Sequence, residues 1–462
     1  MKIRLSPSRL LLAAAVFHLL VTLTITLIGH NQILPTVFDR NGIAPGIASD
    51  GIKVREEAVR RSQELTQGQV RTWSRANSPF YVKLYSLCFA TLGRVLGANV
   101  LSIEPINLLS YLAILVLVFY LAREFSDQRT ALITATLVAL WPSFLLHTTQ
   151  LLKDPIFIAG MLAFVFVEIC LLSKKYSWRS AFLIAAAGGL VAGLVWFSRD
   201  TMGELLIATA LLAVMLMLLR IALERRSLRT EVSDWRARLP SLVSLMLLVV
   251  VSVGVTRLIP KFKRRHANDQ PVASSDDESW RESRRPKRDE SLNSQSLPIK
   301  PWTRGVMRIN KLRQDFASEF SDAGSNVDTD VQIQSTGDVI RYLPRAVMIG
   351  YLAPFPNMWF GAGLQVSQAG RLLSGCEMLV IYLIEGLAII GLWKGRRRFA
   401  VWFLWLVSAL GLTSLGLVVL NIGALYRLRY VFIILLLIIA ASGAGSAFQY
   451  FRTVYFSKAQ PQ

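Results

Sequence analysis

Apolar stretches long enough to cross a bilayer recur along this chain and constrain it more than any motif does. A helix needs about 20 apolar residues to span the hydrocarbon, with about 17 as the lower limit. The qualifying segments are Leu10–Ile28, Pro105–Ala122, Ala131–His147, Pro155–Leu172, Ala181–Phe197, Leu205–Leu223, Leu239–Val255, Cys376–Trp393, Phe399–Leu420 and Tyr430–Phe448, ten in all. Hydrocarbon offers no water to a backbone, so each segment reads as a helix that satisfies its own hydrogen bonds. Composition agrees: 53% of residues are apolar and 18% charged, and a soluble surface could not absorb that balance without large sticky patches. The three cysteines, Cys88, Cys170 and Cys376, each lie in an apolar stretch. They exclude a disulfide framework and a Cys-based zinc site. The expected fold is therefore an all-α polytopic membrane protein with about ten transmembrane helices.

The net charge of +21 would suit nucleic acid if it were clustered. It flanks the spans instead, so no nucleic-acid partner is expected. Lys2, Arg4 and Arg9 precede the first span, and His30-Asn31-Gln32 follow it in place of a small-residue cleavage site, which reads as an uncleaved anchor. The segment Phe80–Leu96 is apolar but carries Lys83 and Arg94, with Tyr81 and Tyr85. If it does not cross, six loops and ends holding 20 Lys and Arg share one side, and the short loops opposite hold only Lys153, Arg199, Arg427 and Arg429. The positive-inside rule then places both termini in the cytoplasm and Phe80–Leu96 flat in the outer interface.

The implied order is an anchor helix, 1–28; an outer loop with interfacial helices, 29–104; spans two to seven, 105–255; a long hydrophilic outer loop, 256–375; and spans eight to ten with a tail, 376–462. In the long loop, 261–313 holds 14 basic and 7 acidic residues, whereas 314–340 has six acids and no Lys or Arg. Such a stretch buries little apolar surface, so part of it is expected to be disordered. Val339–Phe360, interrupted by Pro344, Pro354 and Pro356, reads as an interfacial helix followed by a bent segment.

Ionisable groups at the outer mouth of the bundle are the candidates for chemistry, because charge at membrane depth is expensive. Asp39 and Asp50 lie among turn residues in FDRNGIAPGIASDG, with Asp50 at or beside the N-cap of a surface helix over Ile52–Leu65. In WPSFLLHTTQLLKDP, His147 lies near the end of span three, and Lys153 and Asp154 precede Pro155 at the start of span four. Each acid could be no more than a cap, and Lys153 could merely snorkel. Arg199-Asp200 ends span five, where a plain interfacial ion pair is the bland alternative. Arg427 and Arg429, in NIGALYRLRY, stand against the charge bias and suggest an anionic partner such as a lipid phosphate, or interfacial anchoring. Together, two carboxylates and several cations on one membrane face suit group transfer from a lipid phosphate. A carboxylate would take the proton of an incoming hydroxyl or hold a divalent cation, and the cations would meet charge on the departing phosphate.

The order of elements resembles the GT-C superfamily of polyprenyl-phosphate-dependent glycosyltransferases, which includes the protein O-mannosyltransferases and the aminoarabinose transferases of lipid A. The resemblance covers about residues 8–220 and NIGALYRLRY. It is carried by Asp50 opening a helix, SPFYVKLYSLCFATLGRVLG as a second interfacial helix ending in Gly, LLSYLAILVLVFYLAREF followed by SDQRTALITATLVALWP, and LLKDP. It implies Asp50 as the catalytic carboxylate and Asp154 as the second acid of the site. Arg199, Arg427, Arg429 and Lys153 would hold the donor phosphate. Related transferases often carry a Glu-Lys pair before the Pro of the second interfacial helix; Asn77 and Ser78 stand there instead, and Arg75 or Lys83 would have to supply the charge.

The expected function is a membrane glycosyltransferase, hexosyl or pentosyl, acting at the outer face of a bacterial plasma membrane. Its partners would be a polyprenyl-phosphate-linked sugar, a glycan, lipid or protein acceptor, and membrane lipids; a divalent ion on Asp50 and Asp154 stays open. A polysaccharide polymerase or ligase, a transporter and a non-catalytic membrane protein are the alternatives, and the inverted repeat typical of transporters is not visible. The site reading requires the Asp50 and Asp154 carboxylates to lie within about 12 Å of each other in one outward cavity. It also favours Arg427 over Arg429 as the phosphate ligand, with one arginine facing the cavity and the other the headgroups.

Overall fold

A computed structural model describes residues 6–226, 234–268, 301–319, 324–360 and 368–456. Among the described residues the regular elements are helical, apart from one isolated bridge between Asn326 and Asn421. Eight helices are long and apolar enough to cross a membrane, or ten if two bent helix pairs each count as one span. The protein is an all-α, multi-pass membrane protein, and these ten coincide with the ten apolar segments of the sequence.

The first part of the chain contains α1 (Pro7–His30), α2 (Ser49–Thr66), α3 (Val70–Arg75), α4 (Phe80–Thr91) and α5 (Gly93–Leu96). Next come α6 (Glu104–Phe125), α7 (Gln128–Ala139), α8 (Pro142–Thr148), α9 (Asp154–Ser173), α10 (Trp178–Ser198), α11 (Gly203–Arg226) and α12 (Leu239–Asn268). The remainder holds α13 (Pro301–Glu319), α14 (Thr336–Leu352), α15 (Gln368–Gly395), α16 (Phe399–Val418), α17 (Ile422–Leu428) and α18 (Tyr430–Phe456).

Helix α18 is the axis of the bundle. Every residue from Tyr430 to Ala440 is buried, as expected for a helix apolar on all sides, and α15, α16, α6 and α7 pack around it. Helix α1 shows the opposite pattern. Leu12, Val16, Leu20 and Leu27 are exposed, while His18, Thr22 and Thr26 face inward. Leucines turned out and polar groups turned in is the arrangement that lipid, not water, favours. Inside, His18 binds Glu104 Oε1 at 2.7 Å and Thr148 Oγ1 at 3.1 Å, and Thr22 donates to Glu104 Oε2 at 2.9 Å.

Two of the spans are broken. The axis turns by 65° between α7 and α8, where Trp141 takes an extended conformation (ψ 113°). Pro142 is the cause, because its ring disfavours a helical conformation in the residue before it. The second turn, of 50°, lies between α17 and α18 at Arg429. Asn421 starts α17 by accepting a hydrogen bond from the Ala424 N–H. Broken backbone at membrane depth is tolerated where it is buried in protein or lines a cavity.

The loop 29–104 has a small core, in which its Ile43, Val54, Ala58, Val82 and Tyr85 are buried together with Leu151. Gly42 turns the chain there with φ +75°, open to glycine at no steric cost. Phe80–Leu96 is helical and broken near Leu92, and it is too short to be counted as a span. In the long loop, α12 runs on to Asn268, past the expected end of span seven at Val255. Residues 269–300, 320–323 and 361–367, on which part of the disorder expectation falls, lie outside the described residues. Among the described residues of the loop, 301–319 form α13 and 324–335 lead into α14. Arg313 on α13 is buried and donates to the carbonyls of Leu417, Asp328 and Val331, so three backbone acceptors from two segments anchor it. Helix α14 starts at a capping box of Ser335 and Asp338. It lies so close to α16 that a side chain at Gly350 or Gly416 would strike the facing backbone, at Leu412 or Ala346.

Candidate active site

The turn before α9 is fastened to the 29–104 loop and to α6 from several sides. Gln150 Oε1 accepts from the Ala44 N–H (2.9 Å), Asn107 donates to the Gln150 carbonyl (3.0 Å), and Tyr85 donates to the Leu152 carbonyl (2.7 Å). These bonds hold the start of α2 against the start of α9. Asp50 and Asp154 therefore stand at neighbouring helix ends. Neither is the N-cap: Ala48 caps α2 and Lys153 caps α9, which shifts each acid one or two places into its first turn. Freed from the backbone, both carboxylates turn to arginines.

Asp154 is buried, and its Oδ1 accepts from Arg199 Nη2 at 2.6 Å. Its Oδ2 lies 3.9 Å from Arg427 Nη1, while the other terminal nitrogen of Arg427 lies 3.6 Å from Asp50 Oδ2. A single guanidinium thus separates the two carboxylates, closer than the sequence reading required, but neither acid is among the residues that line the cleft described below, so the expectation that both line one cavity is not met there. The acids differ in access. The Asp50 side chain is 42% exposed and that of Asp154 4%. Arg199 does not pair with its neighbour Asp200; its guanidinium also covers the Phe157 ring at 5.5 Å, and its Nε has no partner. Lys153 lies over Tyr81, 5.9 Å from the ring centroid.

Arg427 and His147 also line a cleft of about 240 Å³ framed by the two span breaks, the 324–326 loop and the first turn of α15. Ser143, Asn421 and Tyr426 supply polar groups, and Leu146, Met358 and Trp359 supply apolar ones. Beneath it, buried Glu377 accepts from the Ser143 N–H (2.9 Å), from Ser143 Oγ and from Tyr426 Oη. Tyr430 Oη continues this network to Ser143 Oγ (2.7 Å) and His147 Nδ1 (3.3 Å).

The remaining candidates are placed elsewhere. Asp39 accepts from the N–H groups of Asn41 and Ile43, both at 2.8 Å, and so fixes its own turn. Lys83 donates to the Ser74 carbonyl and covers Trp73, and Arg75 is exposed at the end of α3. Ser78 donates to Glu57 (2.7 Å) and accepts from Arg61 (2.9 Å), so α2 supplies an acid and a base beside Pro79. Arg429 does not face headgroups. It is fully buried, donates to the Ala353 carbonyl and the Met378 sulfur, and stacks 4.5 Å from the Tyr426 ring centroid. It reaches partners different from those of Arg427, and the chain breaks between α17 and α18 at this residue.

A divalent ion does not fit between Asp50 and Asp154, because the Arg427 guanidinium lies between them. Among the described residues, no group of three His, Cys, Asp or Glu comes together as a metal site. Sequence reasoning passed over Arg371 and Ser143, and it noted Glu377 near the outer face only as an intramembrane acid that could pair with a base or bind water. Arg371 carries the same signal as Arg427, a basic residue beside the end of a span. The count of short loops omitted it because it closes a long one.

No family model matches the chain, and no curated protein does. Among solved structures, an archaeal oligosaccharyltransferase, AglB from Archaeoglobus fulgidus, in complex with an inhibitory peptide and a dolichol-phosphate, is similar at 12% identity and a TM-score of 0.48. The match covers 98% of this chain and 52% of AglB, so the chain spans about half the length of that protein.

Proposed function

We propose that the chain is a membrane glycosyltransferase of the GT-C type. It moves a hexosyl or pentosyl unit from a polyprenyl-phosphate donor to a hydroxyl acceptor at the outer face of a bacterial plasma membrane. The observation that carries this reading is the convergence of Asp50, Asp154, Arg199 and Arg427 beside one cleft framed by broken spans. Asp50, the accessible acid, accepts the proton of the acceptor hydroxyl as its oxygen bonds to the anomeric carbon. The bond from that carbon to the phosphate oxygen breaks, and the lipid phosphate leaves with the electron pair. Arg427 meets the charge that develops on it. Asp154 is a positioning residue that holds Arg199 and Arg427 in place.

The test is Asp50→Asn in proteoliposomes supplied with polyprenyl-phosphate sugar. Loss of a general base costs about 100- to 10,000-fold in turnover, and the variant should bind donor as the parent does. Full turnover by Asp50→Asn overturns the reading; a polymerase or ligase working through arginines alone would give that result.

A further inference from the structure

The residues lining the cleft include two arginines, Arg371 and Arg427, and no Asp or Glu. Their situations differ. Arg427 lies between two carboxylates, so an anion binding it must compete with Asp50 and Asp154. Arg371 has no ion pair, hydrogen bond or ring partner among the described residues. It stands in the first turn of α15, a 28-residue helix with no acid in that turn, so the helix dipole adds to its charge.

The surroundings give a ligand a direction. Gly375 lies one turn beyond Arg371 on the same face of α15. A side chain there would run into the Trp359 ring, which is also held by a bond from its Nε1 to the Pro354 carbonyl (2.8 Å). Trp359 therefore lies flat on the helix beside Arg371. On its far side, Trp359 helps to line a second, apolar groove with Phe360, Gln368 and Leu372. Phe360 is 68% exposed and Leu372 48%. One aromatic wall thus joins a basic cleft to an apolar groove open at the bundle surface.

We infer that Arg371 holds the phosphate of a lipid phosphate, with the isoprenoid chain leaving over Trp359 and Leu372 and the head group reaching toward Arg427 and Asp50. This rests on the glycosyltransferase reading and adds a division of labour to it. Arg371 binds the phosphate in the ground state, because no described residue balances its charge. Arg427, balanced by two carboxylates, acts when negative charge grows on the leaving phosphate.

The test is equilibrium binding of a radiolabelled polyprenyl monophosphate to the full chain in phosphatidylcholine nanodiscs, with the uncharged polyprenol as control. A charge-assisted hydrogen bond lost to Arg371→Gln lowers monophosphate affinity by about ten- to a hundred-fold and leaves polyprenol affinity unchanged. Arg371→Lys restores part of it, which shows that the variant chain is folded. Arg371→Gln raises KM, whereas Arg427→Gln lowers kcat. Monophosphate binding by Arg371→Gln equal to that of the parent overturns the inference and leaves the transferase reading standing if Asp50→Asn is inactive. A parent chain that does not prefer monophosphate to polyprenol overturns both.

Discussion

Replacing Arg199 with Gln strips Asp154 of its nearest cation, and the structure sets the size of the effect. Both side chains are nearly buried, at 11% and 4% exposure, and their contact is 2.6 Å. Removing one partner of a buried pair costs about 3–5 kcal/mol. Here Asp154 keeps a second cation, Arg427, at 3.9 Å. With an effective dielectric of about 20, Coulomb attraction is about 6 kcal/mol for the first contact and about 4 for the second, so Arg199 supplies about three fifths of it. The expected destabilisation is then about 2–3 kcal/mol. Thermal unfolding in detergent, followed by a thiol-reactive dye that reports exposure of the half-buried Cys88 and Cys170, measures it. The double variant Arg199→Gln with Asp154→Asn should recover most of the loss, since the unpaired charge disappears with its partner. A coupling energy in that cycle below about 0.5 kcal/mol would refute a functional ion-pair network around Asp154.

Two more tests concern residues outside the membrane. Asp328 accepts from both Arg345 Nε (2.9 Å) and Nη2 (3.2 Å), and these bonds hold its carboxyl below the usual carboxylate range. The depressed value means that the stabilisation is fully present above about pH 4 and is lost as pH falls through the lower folded value. Protease resistance of the 324–335 loop should therefore drop below about pH 4 in the parent, and Arg345→Gln should flatten that dependence. For topology, Gln67→Cys on the exposed end of α2 should be labelled from outside intact cells in a background lacking native cysteines, and Arg397→Cys should not. The reverse pattern would invert the site.

The spans were legible because hydrocarbon thickness imposes one length on every crossing helix, and each of the ten segments met it. For Phe80–Leu96 the argument was charge: letting it cross would place Arg225, Arg226 and the 394–398 run on the side the positive-inside rule disfavours. The acids were legible as helix-start residues, but not what they bind. Their partners, Arg199 and Arg427, are 45 and 273 positions from Asp154 in the chain, and no local pattern links them. Helix α13 was missed because its basic stretch reads as solvated. What orders it is Arg313 capturing three carbonyls, two of them in the acid-rich run that looked unable to fold. Glu377 was noted but its partners were not: as one acid in an apolar span it suggested a basic partner or water, and gave no hint of the Ser143 and Tyr426 hydroxyls it binds.

The two bends explain why a bundle of apolar helices has a polar cleft at all. A straight helix from α7 into α8 would carry Ser143 and His147 along one axis, and a straight α17–α18 would do the same for Tyr426 and Arg427. Pro142 turns the first pair by 65°, and the break at Arg429 turns the second by 50°, so that all four line one cleft. Each break frees backbone groups that hydrocarbon would penalise. At the first break the structure answers this locally, where Glu377 takes the Ser143 N–H. The Arg429 guanidinium takes the Ala353 carbonyl from the bent segment after α14. Arg429 thus supports the wall of the cleft from within, while Arg427, two positions earlier, lies near Asp50 and Asp154.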